Sequence, residues 1–148
     1  MENIFENFTI TILKLNKLVQ RIKNFEMQEY GLKTIHVMCL YYLDNHPNGL
    51  TASELTKLTL EDKAAISRAL KVLHEKGYAN YDPNKYSAEI HLTGEGKKLA
   101  AVVCEKAGRA VCAGSYEFTE QQRQGFYIQL KTIAENLEKY YGELINKQ

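Results

Sequence analysis

The chain has 148 residues, the size of one ordinary domain, of which 45% are hydrophobic and 25% charged. That composition excludes a disordered or fibrous protein, and no apolar run approaches the ~20 residues needed to span a bilayer. Nineteen basic against eighteen acidic residues leave a net charge of +1, so the broad basic footprint of many nucleic-acid binders is absent and any such patch must be local.

The opening "MENIFENFTITILKLNK" puts acids first and has no basic leader, so no signal peptide is expected. From Asn3 to about Met27, apolar residues including Ile4, Phe5, Phe8, Ile12, Leu15, Leu18, Ile22 and Phe25 recur at three- and four-residue steps, the period of an amphipathic helix. Gly31 ends it. A second helix over about 33–44 places Leu32, Ile35, Cys39, Leu40 and Leu43 on its inner face, and "DNHPNG" reads as a turn. Thr51 with Glu54 forms a capping box for a short helix to about Leu58. Asp62 caps the next helix, about 63–76, and Gly77 is placed as its stop. "DPNK" has the order of a type I turn, and Ala88, Ile90 and Leu92 alternate with Glu89 and His91, as in a hairpin with one buried face.

Thr93 caps a fifth helix, and Thr119 with Gln122 caps a sixth over about 120–146. In that last helix Phe126, Leu130, Ile133, Leu137, Tyr140 and Leu144 step by 4, 3, 4, 3, 4, a seam that calls for a partner helix. The predicted fold is therefore mainly α with a minor β component. A winged helix-turn-helix lobe over about 31–99 lies between long helices at about 1–30 and 100–148, within a single domain over 1–148. The long flanking helices need each other, or a second copy of the chain, to cover their apolar faces.

The chain resembles the MarR family of bacterial transcriptional regulators. The residues that carry the resemblance are Gly31-Leu32, "LTASEL" (50–55), "DKAAISRAL" (62–70), "LHEKGY" (73–78) and "LTGEGKKL" (92–99). The resemblance implies a cytoplasmic homodimer held by its first and last helices, with Ile4, Phe8, Ile12, Phe126, Leu130, Ile133, Leu137 and Leu144 as dimerisation residues. It also implies double-stranded operator DNA as partner, bound at a pseudo-palindrome and released by a small-molecule effector or by cysteine oxidation. Repression is the expected role. Family wings carry an arginine that enters the minor groove, whereas this wing, "DPNKYS", is shorter and has Lys85 as its only base. Phosphate contact by Lys85 is the expectation here, because lysine is a strongly hydrated point charge.

Recognition helices meet base edges chiefly through their N-terminal residues. Ala64 and Ala65 are small enough for close approach, Ser67 can donate to a phosphate or base, and Arg68 can grip a guanine or a phosphate. Lys63 and Lys71 suit phosphates, and Thr51 and Ser53 of the preceding helix join the set. Asp62 and Glu61 set where the helix begins, through the cap and the helix dipole.

His36, Cys39 and Cys104 are the candidate effector or redox residues. Cys39 also reads as a small buried hydrophobe, and Cys104 and Cys112 lie ~12 Å apart along one helix, too far to pair within a chain. The irregularly spaced cysteines form no disulfide framework and fit a reducing, cytoplasmic setting. Tyr41, Tyr42, Tyr116 and Tyr127 read either as pocket lining or as packing. No catalytic constellation, cofactor motif or metal-ligand spacing stands out, and no membrane contact is expected. Two alternatives stay open: a winged-helix protein–protein module with weak or lost DNA binding, and a cysteine-based redox sensor.

Overall fold

The computed structural model describes residues 3–147; Met1, Glu2 and Gln148, the extreme ends of the predicted domain, lie outside the described residues. It divides into two units, Met1–Ala110 and Val111–Gln148.

In the first unit the chain opens with a wider π-helical stretch, Phe5–Ile10, and continues as α1 (Thr11–Met27), where a single α-helix is predicted. Only Met27, at its end, is buried. Gly31 stops the run in the left-handed region (φ 64°), where a Cβ is disfavoured. α2 (Thr34–Asp44) is pinned to α1 by Asn24, whose Oδ1 accepts from both the Thr34 N–H (2.9 Å) and its hydroxyl (3.0 Å). Its inner face holds Cys39, Leu40 and Leu43 as predicted, with His36 and Val37 added; Ile35 is only half-buried and Leu32 is buried just ahead of the helix.

α3 (Ala52–Thr59) and α4 (Lys63–Glu75) follow. Leu55, Ile66, Ala69, Leu70 and Leu73 from these helices join the α2 residues in one core, closed by Leu99, Ala100 and Val103 of α5 (Gly94–Gly114). α4 ends as its sequence predicts: the Gly77 N–H donates to the His74 carbonyl (2.9 Å) and the Tyr78 N–H to that of Leu73 (2.8 Å), with Gly77 at φ 76°.

The predicted hairpin is present but short. β1 (Ala79–Asn80) and β2 (His91–Leu92) pair antiparallel in the register Ala79↔Leu92, Asn80↔His91. Beyond that point Ile90 exchanges both backbone hydrogen bonds with Leu50 (2.9 and 3.2 Å), so the ladder is continued by the segment ahead of α3. Ile90 is buried, Leu92 and Ala88 are half-buried, and Glu89 and His91 face solvent, which keeps the predicted alternation. Thr93 then joins three elements. Its hydroxyl donates to the Gly77 carbonyl (2.6 Å) and accepts from the Gly96 N–H (3.0 Å) that opens α5. Gly96 lies so close to the Tyr78 carbonyl that a Cβ there would sit 1.9 Å from its oxygen.

Farther along α5, the Lys106 ammonium, itself mostly buried, binds the carboxylates of Glu26 (2.5 Å) and Glu29 (3.4 Å). The hydrogen bond from Lys106 holds the Glu26 carboxyl below its ordinary value, and the same bond raises Lys106. This bridge ties the end of α1 to α5.

The second unit contains α6 (Glu120–Ile145), opened by the predicted Thr119–Gln122 capping box. Arg123 braces the turn before it, donating to the Ser115 hydroxyl (2.9 Å) and carbonyl (3.2 Å) and to Glu120 (2.6 Å). No residue of α6 is buried. Among the described residues no helix is long and apolar enough to cross a membrane.

Candidate nucleic-acid interface

α4 separates cleanly into two faces. Ile66, Ala69, Leu70 and Leu73 are buried at helical spacing, and Lys63, Ala64, Ser67, Arg68 and Lys71 are exposed, with Ala65 half-buried between them. The helix begins where the sequence places it: Asp62 Oδ1 accepts from the Ala65 N–H at 2.7 Å. That cap fixes the register of every outward side chain. The carboxylates ahead of a basic helix thus have a positioning role, and their cost in long-range attraction is accepted.

The turn into α4 is strained. Leu60 sits in the left-handed region (φ 59°) and is 92% exposed, so its side chain has no packing to offset a conformation that costs roughly 1–2 kcal/mol. Thr51 caps α3 reciprocally, its hydroxyl accepting from the Glu54 N–H (3.2 Å) while Glu54 accepts from the Thr51 N–H (2.8 Å).

The exposed face of α4 has two edges, a division the sequence does not reveal. Lys63 and Ser67 look into a cleft of about 490 Å³ that is also lined by Thr51, Ser53 and wing residues including Lys85 and Tyr86. Ala64, Arg68 and Lys71 lie outside that cleft. Among the described residues Lys63, Arg68 and Lys85 enter no ion pair, and Lys71 has only a long exposed contact to Glu75 (3.9 Å), of a kind that contributes little. Three cations are thereby left available to an anion. The wing side of the cleft, from Asp82 to Ala88, has no strong sequence signal beyond Lys85; its turn residues could have suggested it.

The candidate sensing residues fare differently. His36 is buried, and its Nδ1 accepts the Lys33 N–H (2.8 Å), so the ring caps α2 and one nitrogen is already committed. Burial holds its pKa below the ordinary value, reinforced by the charges of Lys33 and Lys76. Cys39 corrects the redox expectation. It is wholly buried, and burial pushes its thiol up to about 12, which removes both the access and the thiolate that oxidation requires. Cys104 is exposed. Tyr41 and Tyr42 pack edge to face on each other (5.3 Å).

The residues expected at a dimer contact are all accessible within the single chain. On the first unit Ile4 is 76% exposed, with Phe8 and Ile12 also exposed; on the second, Phe126, Leu130, Ile133, Leu137 and Leu144 are exposed along the length of α6.

These features define a winged helix-turn-helix lobe with long accessory helices, and residues 30–83 match the MarR family. The fold is that of MarR regulators over nearly the whole chain. A MarR transcriptional regulator from Methanosarcina mazei Go1 superposes with a TM-score of 0.84 at 24% identity, covering 91% of this chain and 92% of that one. A MarR protein from Peptoclostridium difficile gives 0.83 at 19% identity, with 97% and 95% covered. The S. aureus MepR–DNA complex gives 0.75 at 16% identity, with 88% and 97% covered. No curated protein sequence matches the chain.

Proposed function

We propose that the protein is a DNA-binding transcriptional regulator of the MarR type, a cytoplasmic homodimer that represses from a pseudo-palindromic operator and is released by a small-molecule effector. The observation that carries this reading is the outward face of α4. Its start is fixed by Asp62, its small residues permit close approach, and Lys63, Arg68 and Lys71 are exposed along it. The likeness to a DNA-bound regulator supports the same direction. Two such helices in a dimer, about 34 Å apart, would meet successive major grooves.

Gel shifts over a salt series test it on duplexes that the wild-type protein selects from a random library. Arg68→Ala should cost about 1–3 kcal/mol and relax one base position, whereas Lys71→Ala should weaken all sequences alike and lower the salt slope by about one. A wild-type protein that enriches no sequence overturns the reading. The near-neutral charge favours a second one, a winged-helix protein–protein module, for which neither substitution should change any DNA interaction.

A further inference from the structure

Lys14, Lys17 and Arg21 of α1 are exposed, whereas Lys23 turns inward and is half-buried. Its ammonium donates to the Met38 Sδ of α2 at 3.3 Å. Among the described residues no carboxylate pairs with it. A thioether is a weak acceptor, so this ammonium has left water for a poor partner. The placement is fixed one turn earlier, where the Thr34 N–H and hydroxyl both donate to Asn24 Oδ1. Lys23 and Met38 stay face to face while those bonds hold. Met38 is itself half-buried, which leaves it within reach of a small solute.

Adding one oxygen to the sulfur would remove that deficit. Lys23 engages one sulfur lone pair, and the other can attack a peroxide oxygen. The O–O bond breaks, and the departing hydroxide takes a proton to become water. The hydroxyl left on sulfur gives up its proton, so the products are one sulfoxide and one water. Sulfur loses two electrons and the peroxide gains them. Lys23 can lend the first proton and recover the second; burial holds its pKa below the ordinary value, which makes it the readier donor. The sulfoxide oxygen then faces an ammonium, and charge-assisted hydrogen bonds are roughly twice as strong as neutral ones.

We infer that Met38 is a site of reversible oxidation, taking its oxygen from a peroxide and holding the sulfoxide on the Lys23 ammonium. Methionine oxidation ordinarily puts a polar group among apolar neighbours and disrupts them. Here a donor is already in place, so the modification tightens the contact. α1 carries exposed apolar residues proposed for a second copy, and α2 contributes to the lobe core. The oxidised pair joins these two parts more firmly than the reduced one. Met27 supplies the internal contrast, being 2% exposed within the apolar core. Nothing in this assignment depends on the DNA-binding reading.

Hydrogen peroxide treatment of the full chain, followed by peptide mass spectrometry and thermal unfolding, tests it, with Met38→Leu and Lys23→Ala treated alongside. Oxygen should appear on Met38 about tenfold faster than on Met27, which reacts only through opening of the core. The oxidised wild type should melt about 3 °C above its reduced form and return to it after treatment with methionine sulfoxide reductases. Met38→Leu, whose cysteines react alike, should show no such rise. Lys23→Ala should still gain the oxygen but melt lower once oxidised, because the new dipole finds no donor. Equal reaction rates at Met38 and Met27, or an oxidised wild type that melts no higher, overturns the assignment. So does a rise of equal size in either variant.

Discussion

α4 and α6 are both amphipathic, and the structure treats them in opposite ways. α4 buries Ile66, Ala69, Leu70 and Leu73 within its own lobe and leaves a polar face outside. α6, twice as long at 26 residues against 13, buries nothing, and Phe126, Ile133 and Leu137 stand open to water along its seam. An apolar stripe of that length on one chain is a surface awaiting association. The lobe should therefore hold its structure by itself, whereas α6 should owe its stability to a second copy.

The sharpest way to break this contrast is a charge in the α6 seam. Leu137→Glu removes a leucine from each side of the proposed dimer and puts a carboxylate in its place. At roughly 1.5–3 kcal/mol per buried leucine, two copies lose about 3–6 kcal/mol before the cost of the charge. Sedimentation should show the wild type as a dimer and Leu137→Glu as a monomer with a folded lobe. A variant that sediments as a dimer would mean that the seam is not the interface.

Within the lobe, the largest effect should come from a single methyl group. Gly96→Ala would place its Cβ 1.9 Å from the Tyr78 carbonyl oxygen, a backbone atom that cannot rotate away. Either α5 shifts from the loop after α4 or that loop loses its bond to Thr93, and a cost of about 3 kcal/mol is expected. Chemical denaturation would read it as a lower midpoint. Gly108→Ala makes the control, because a Cβ there meets nothing within 4 Å.

Leu60→Gly should act in the opposite direction and more weakly. It releases a left-handed leucine that packs on nothing, at the expense of glycine's greater backbone entropy in the unfolded chain, for a net gain of about 0.5–1 kcal/mol. A melting temperature that falls would assign Leu60 a packing role within the fold.

What could be read along the chain follows a physical rule. Thr51 with Glu54, Asp62, Thr119 with Gln122, and Gly77 act on residues within about one turn of themselves, so their effects are written locally and appear as expected. The outward face of α4 was equally legible, apart from half-buried Ala65, because its spacing is set by its own helix. Contacts between distant segments were not. Nothing beside Gly96 in sequence announces the Tyr78 carbonyl, and nothing beside Ile90 announces that Leu50 will extend the ladder. The division of the α4 surface into a cleft edge with Lys63 and Ser67 and an open edge with Arg68 depends on where the wing folds. His36 was weighed as an effector residue, and nothing in its sequence position distinguishes that role from a cap. Only the Nδ1 contact shows it to be a cap.

That cap supplies the mildest prediction, a dependence of lobe stability on pH. Burial, with Lys33 and Lys76 nearby, holds the His36 pKa below its ordinary value, so the folded state disfavours the imidazolium. Protonation at Nδ1 would also remove the lone pair that holds the Lys33 N–H. In the unfolded chain the ring takes its proton near pH ~6.5. Stability from this site is therefore complete above that pH and is lost as pH falls through it toward the lower folded value, with a slope of at most about 1.4 kcal/mol per pH unit for one proton. The Glu26 carboxyl, also depressed, adds a separate loss only at more acidic pH, below ~4.3, where the unfolded carboxyl protonates. Denaturation midpoints from pH 7.5 to 5 should fall for wild type and stay flatter for His36→Asn, whose amide oxygen can accept a hydrogen bond without titrating. Parallel curves for the two proteins would show that the pH response does not come from His36.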